Sequence, residues 1–312
     1  MKWILCGKND AAVHALETLL DHGDDVWVIG TFGDDGEDGW QRSLVGAAKR
    51  NGVRCDQPER INEPATIAGF ADYRADALLS IQYDQILRGP LFRQIGCRCL
   101  NFHFALLPRH RGVSPIAFAI LEGDAETGVS VHEMVEQIDA GDVFAQRAVR
   151  IESGDTAREV YDHVCLATVE LFRDSYPFDT ERIGRPQPQD GSAASYHRQG
   201  DFDFSLQHVD WHRPARELHR WLRAMIFPPF QFPQTRLAGH RLTIEAIAAE
   251  VGSTVSVEPG SIIARSDAGF DVAATNGTIR ITSLSGADVD AKTAAGSLEV
   301  GDRFGTLRDV HS

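Results

Sequence analysis

The first hundred residues alternate short apolar runs with longer amphipathic stretches, and this rhythm restricts the chain more than any other feature. Trp3–Gly7, Asp25–Gly30 and Ala75–Ile81 read as buried strands. Between them, residues 10–22 place Val13, Leu16, Leu19 and Leu20 at helical spacing behind the capping candidates Asn9 and Asp10, and residues 41–51 also read as helix. Strands separated by helices of this length predict an α/β fold with a doubly wound, mostly parallel sheet. Ligands on such sheets sit beyond the carboxyl ends of the strands, where the strand order reverses. The first turn, Gly7-Lys8-Asn9-Asp10-Ala11-Ala12, holds one glycine where a pyrophosphate turn needs room at three positions, so it does not predict a dinucleotide site.

The second half changes character. A helix is expected over Thr156–Asp174, and Ile183–Ala194, rich in Gly, Pro, Gln and Ser, reads as an exposed linker. Residues 212–226 set Ala215, Leu218, Leu222 and Met225 on one helical face. Beyond them, His240–Ile247, Gly260–Ala264, Phe270–Thr275 and Thr278–Leu284 are short β-rich runs parted by turns, the pattern of a small C-terminal OB-like β-barrel. The predicted division is therefore a catalytic domain over 1–200 and a barrel domain with a leading helix over 201–312.

No stretch reaches the roughly 20 uninterrupted apolar residues that span a bilayer. Met1–Gly7 is too short and too quickly polar for a secretory signal, so no membrane association and a cytoplasmic location are expected. The five cysteines are scattered rather than paired, and Cys97 and Cys99 read as small core residues rather than metal ligands. The formal net charge is −14, and residues 201–312 hold 11 Lys and Arg against 14 Asp and Glu. Gripping a polyanion takes clustered cations, so this balance argues against nucleic acid and for a small-molecule substrate.

Chemistry-bearing residues concentrate in 97–145. Leu100-Asn101-Phe102-His103 ends a strand, so Asn101 and His103 project from the same side at the period of two. A breaker-rich loop follows, Leu106-Leu107-Pro108-Arg109-His110-Arg111-Gly112, then a strand over Thr127–His132, then the turn Gln137-Ile138-Asp139-Ala140-Gly141-Asp142. An amide, an imidazole and a carboxylate thus converge near strand ends.

These three pieces, in this order and spacing, resemble the signature of the 10-formyltetrahydrofolate-dependent formyltransferases. The resemblance runs on through Leu79–Leu87, similar to the loop whose backbone holds the pterin ring, through Val209-Asp210-Trp211 and Leu222-Arg223-Ala224 at the entry to the C-terminal barrel, and through Pro259–Ile263 and Gly277–Ile281 within it. It implies transfer of a formyl group from the co-substrate 10-formyltetrahydrofolate to a primary amine, with no metal. It also implies catalytic roles for Asn101 as oxyanion donor, His103 as general base and acid, and Asp139 as the group that orients His103. Cofactor contacts are expected from Gln82, Tyr83, Asp84, Ile86, Leu87, Arg111, Gly112, Ile138 and Asp142, and acceptor contacts from Lys8, Asn9, Pro108 and Phe230. Arg111 is open between a ligand contact and a brace from its loop to the sheet. Ser130 is expected to face inward, Trp211 to pack at the hinge, and His110 and His132 to stand outside the chemistry.

The demands of amine formylation suit such a triad. Negative charge develops on the formyl oxygen, where a preorganised donor lowers the barrier by a few kcal/mol. The attacking nitrogen sheds a proton and the departing nitrogen gains one, work for a group titrating near neutrality.

Two departures bear on the acceptor. The members of the family that act on tRNA carry a basic loop after the second strand, where this chain has Asp34-Asp35-Gly36-Glu37-Asp38. Phe227-Pro228-Pro229-Phe230 stands in place of a Pro-Trp-Pro-type turn. The acidic loop and the barrel's lack of net positive charge are similar to the nucleotide-sugar branch of the family, whereas the Phe227–Pro233 segment departs from the tRNA enzymes and the UDP-4-amino-4-deoxy-arabinose enzymes alike; the expected partner is a nucleotide-linked amino sugar, with room for a homodimer. Methionyl-tRNA and N-hydroxyornithine are the alternatives within the same chemistry. A formyltetrahydrofolate hydrolase and a folate-binding protein without turnover are the alternatives outside it. The arginines at 213, 216, 220 and 223 supply the one local basic strip that favours RNA.

Overall fold

A computed structural model describes residues 1–237, 240–286 and 298–305. The chain separates into two compact units, one formed by Met1–Pro115, Thr127–Val149 and Asp162–Arg198, the other by Ile116–Glu126, Arg150–Tyr161 and Gln199–Ser312. Residues 306–312, the end of the expected barrel region, lie outside the described residues. Among the described residues no helix is long and apolar enough to cross a membrane.

The first unit contains β1 (Lys2–Gly7), α1 (Asn9–Asp21), β2 (Asp25–Gly30), α2 (Leu44–Arg50), β3 (Arg54–Asp56), α3 (Pro64–Tyr73), β4 (Ala77–Ile81), α4 (Gly89–Ile95) and β5 (Arg98–His103). The two-residue β6 (Arg111–Gly112) follows; the chain then passes through α5 (Pro115–Glu122), which belongs to the second unit from Ile116 on, and continues in β7 (Glu126–Glu133) and β8 (Val143–Arg150). After α6 (Ala157–Ser175) and α7 (Thr180–Ile183), the unit ends on the two-residue β9 (Tyr196–His197). The main sheet has the order β3-β2-β1-β4-β5-β7-β8. Strands β3 through β5 are parallel and β7 runs antiparallel to β5. The order reverses between β1 and β4, which makes the gap beyond Gly7 and Ile81 the switch point of the sheet.

Alternation along β1 explains its burial on both faces. Ile4 and Cys6 join Trp27, Ile29, Phe70, Leu78 and Leu91 in one apolar cluster. Trp3 points the other way and meets Phe178, which also packs on Phe102 and Phe172. Helix α1 starts differently from expectation. Its N-cap is Lys8, with no side-chain cap bond, because Arg42 draws the Asp10 carboxylate away from the helix end at 3.0 Å. At Gly7 the chain turns so tightly that a Cβ would lie 2.7 Å from both the Ala12 Cβ and the Ile81 carbonyl oxygen. Backbone cannot yield as a side-chain tip does, so Gly7→Ala is expected to destabilise the protein by about 1–3 kcal/mol, read as a lowered urea midpoint at unchanged slope.

The second unit contains α8 (Ala215–Met225) and a five-stranded antiparallel sheet in the order β10 (Gln234–Leu237), β11 (His240–Gly252), β14 (Gly277–Gly286), β13 (Gly269–Ala274), β12 (Ile262–Ser266). Residues 302–305 tie its two edges: Asp302 O accepts from Ile262 N, and Gly305 N donates to Arg236 O. That closure makes the sheet a small barrel. Trp211 is fully buried, stacks on Phe304 at 5.8 Å and donates its indole N–H to Thr235 Oγ1, so it is a packing residue. Of the arginine strip, Arg223 is buried and donates to the Asp155 and Glu152 carbonyls, and Arg220 donates to the Glu122 carbonyl. Half of the strip is therefore spent within the protein.

Candidate active site

Strands β5 and β7 build the centre. Their register sets Asn101 opposite His132 and His103 opposite Ser130, so four polar side chains share one face of two adjacent strands. Ser130 is fully buried. Its hydroxyl donates to the Ala105 carbonyl at 2.6 Å and accepts from Leu107 N and Gln146 Nε2, which fixes the start of the loop after β5.

His103 is buried, with Nε2 2.8 Å from the His110 carbonyl oxygen. A carbonyl only accepts, so Nε2 carries the proton of the neutral ring, and Nδ1 is left facing Asp139 Oδ2 at 3.5 Å. Burial depresses the His103 pKa below its ordinary value, while Asp139 and the His110 carbonyl oppose that shift. At neutral pH the ring is thus a base at Nδ1, and a proton taken there falls beside a carboxylate.

Asp139 sits in the left-handed region at φ 53°. Its Oδ2 accepts from Gly112 N at 2.8 Å, and its Oδ1 lies 3.3 Å from His132 Nε2. Burial pushes this carboxyl up, but the nearby His103 and His132 and the Gly112 N–H outweigh it, and the pKa falls to about 2. Asn101 Nδ2 is 3.2 Å from His132 Nε2, whose other nitrogen donates to the Glu133 carbonyl. One Asn101 N–H is thus anchored, and among the described residues no partner takes the other. His132, expected to stand outside the chemistry, instead contacts both Asn101 and Asp139. His110 contributes its backbone carbonyl to His103.

Ile183–Ala194, expected as an exposed linker, is exposed along most of its length, yet this stretch and the residues after it are stitched to the centre. Gln187 bridges Val143, Ser195 Oγ accepts from His110 N, and β9 pairs with β6. Gly112, at φ 90°, has no room for a Cβ, which would lie 2.1 Å from the His197 carbonyl oxygen. Arg111 is buried and its guanidinium is bonded to Gln189, so the brace is the role the geometry displays. No periodic signal marks Gln189, because its contacts span 50 and 78 residues.

The remaining expected residues are more dispersed. Gln82, at φ 56°, Tyr83, Asp84 and the exposed Ile86 form the loop after β4 at the switch point, whereas the Leu87 side chain belongs to the core. Lys8 and Asn9 lie across that switch point at the end of β1. Pro108 is in the loop after β5, and half-buried Ile138 and Asp142 flank Asp139. Phe230 belongs to the second unit and is 61% exposed.

Residues 43–174 match the family described as formyl transferase, and residues 205–297 match the formyl transferase C-terminal domain. A methionyl-tRNA formyltransferase of Methylobacillus flagellatus is 33% identical over 98% of this chain and 100% of its own length. Among solved structures, an N-formyltransferase of Helicobacter canadensis, in complex with folinic acid and dTDP-3-aminofucose, aligns with a TM-score of 0.72 at 23% identity, covering 90% of this chain and 99% of that one. A sugar 3N-formyl transferase crystallised with dTDP and 5-N-formyl-THF aligns with a TM-score of 0.71 at 23% identity, covering 93% and 98%.

Proposed function

The chain belongs to the formyl transferase family, and we propose that it moves the formyl group of 10-formyltetrahydrofolate to the amino group of a nucleotide-linked amino sugar. The observation that carries the choice of acceptor is the loop after β2. Asp34, Asp35, Glu37 and Asp38 cluster there, beyond the carboxyl end of β2 and so on the same side of the parallel strands as the carboxyl end of β5, three strands away in the sheet. Asp34 accepts from Gly36 N, Ser43 Oγ and Val45 N, and Asp38 accepts from Ser43 N. These bonds hold the negative loop in shape. An RNA backbone brought to this edge meets fixed like charge, whereas a sugar nucleotide brings few phosphates. The partial consumption of the arginine strip supports the same choice.

The triad divides the reaction as follows. The free Asn101 N–H suits the formyl oxygen as negative charge grows on it. His103 Nδ1 takes the proton shed by the attacking amine and returns it to the departing folate nitrogen, and Asp139 stabilises the imidazolium in between. His132 holds the Asn101 amide. This assignment draws on Asn101, His103, Asp139 and His132 and asks for no metal.

Methionyl-tRNA is the second reading, favoured by the full-length similarity to the Methylobacillus enzyme. Competition between the two acceptors separates them: dTDP- and UDP-linked amino sugars and charged initiator tRNA are offered at equal concentration with labelled formyl donor. Label is expected on a sugar, with rates that depend weakly on salt. Label on the tRNA alone, falling steeply with salt, would give the function to the second reading.

A further inference from the structure

We propose that Gln189 is a positioning residue for the reaction, tying Arg111 to the turn that carries Asp139. This rests on the reading that His103 and Asp139 move the proton. Gln189 uses its whole amide: Oε1 accepts from Arg111 Nε at 3.0 Å and Nη2 at 2.7 Å, while Nε2 donates to the Asp139 carbonyl at 2.8 Å and the Gly141 carbonyl at 2.6 Å. Two donors on one side and two acceptors on the other leave the amide a single orientation.

The turn needs such a hold. A non-glycine residue at φ 53° is strained and persists only where its surroundings determine it. On one flank the turn is pinned to β7, since Glu133 N donates to the Asp142 carbonyl and a Cβ at Gly141 would lie 2.0 Å from the Glu133 carbonyl oxygen. Gln189 supplies the other flank. Consecutive residues of β6 therefore grip Asp139 twice: Gly112 N bonds its carboxylate, and the Arg111 guanidinium reaches its backbone carbonyl through Gln189. The buried cation polarises the amide and strengthens both outgoing N–H bonds. Loosening this hold moves the Asp139 carboxylate relative to His103 Nδ1.

The test is steady-state kinetics across pH on Gln189→Met, which keeps the length without polar atoms, and on Gln189→Glu, which keeps the Arg111 contact but loses both donors. Each is expected to lose about 10- to 100-fold in kcat, the cost of a misplacement near 1 Å, with the KM for 10-formyltetrahydrofolate within about twofold. His103 is faced by Asp139, His132 and His110. With Asp139 displaced, the acid limb of the kcat profile should move to lower pH in Gln189→Met. Wild-type kcat in either folded variant overturns the proposal, as does a loss equal at all pH with the limb unmoved. If Gln189→Met fails to fold, the kcat of Gln189→Glu decides alone. Activity surviving in His103→Ala would instead refute the underlying triad, whatever Gln189 does.

Discussion

A His103→Ala variant is expected to keep its fold and lose between about a hundredfold and ten-thousandfold in kcat. That range is what a positioned proton-transfer group contributes. The loss should fall on kcat more than on the KM for the formyl donor, because the buried ring is held at Nε2 by the His110 carbonyl and keeps Nδ1, beside Asp139, as the base. In the wild-type protein, kcat should rise with pH and level off at a lower pH than an exposed histidine would set, since burial depresses the His103 pKa. Alanine removes that limb altogether. Single-turnover formyl transfer measured from pH 5 to 9 checks both statements. A folded variant with near-normal turnover, or a wild-type limb shifted upward, contradicts the role given to this ring.

Asp139→Asn is the second large effect, and it separates activity from stability. Asparagine still accepts from Gly112 N but carries no charge to stabilise an imidazolium, so kcat should fall by about a hundredfold or more. Stability should respond to pH in a definite direction. The Asp139 pKa drops from 3.8 to about 2 on folding, and its side chain is only 10% exposed. A carboxyl depressed in this way stabilises the fold above about pH 4 and loses that contribution as pH falls towards 2. The contribution is about 2 kcal/mol. Urea unfolding at pH 7 and at pH 3 should therefore show a smaller gap for Asp139→Asn than for the wild type. Equal gaps would mean that the carboxylate draws no net stabilisation from its neighbours.

The strands that position the centre were legible because they are buried and regular. Asp25–Gly30 reads directly from its apolar run and is β2 to the residue, and the end of β5 follows from Asn101 and His103 at a period of two. Strand β3 escapes such a reading because three residues, two of them open to solvent, carry no periodicity. The cap of α1 was misjudged for a different reason. Asp10 has the right chemistry for a helix end, but Arg42, 32 residues away, offers it a stronger partner. The contacts of His132 are hidden for the same reason: they are fixed by the register of β7 against β5, which only the folded sheet reveals. The three residues proposed as the triad are readable because they sit in short local motifs. Gln189 and the strap around it are not, since hydrogen bonds between distant loops leave no local trace.

That strap also ties the competence of the centre to the last segment of the first unit. The loop 106–113 is fastened by Ser195 and His197, and the His110–Ser195 contact spans 85 residues. Closing a segment of that length costs on the order of 4 kcal/mol of chain entropy, repaid only once β7, β8 and α6 are already in place. A nascent chain stopped before residue 190 could pair β1 through β5 and yet hold no ordered catalytic loop. Near the midpoint of unfolding, the same arithmetic runs in reverse, and turnover should disappear while the parallel sheet still stands.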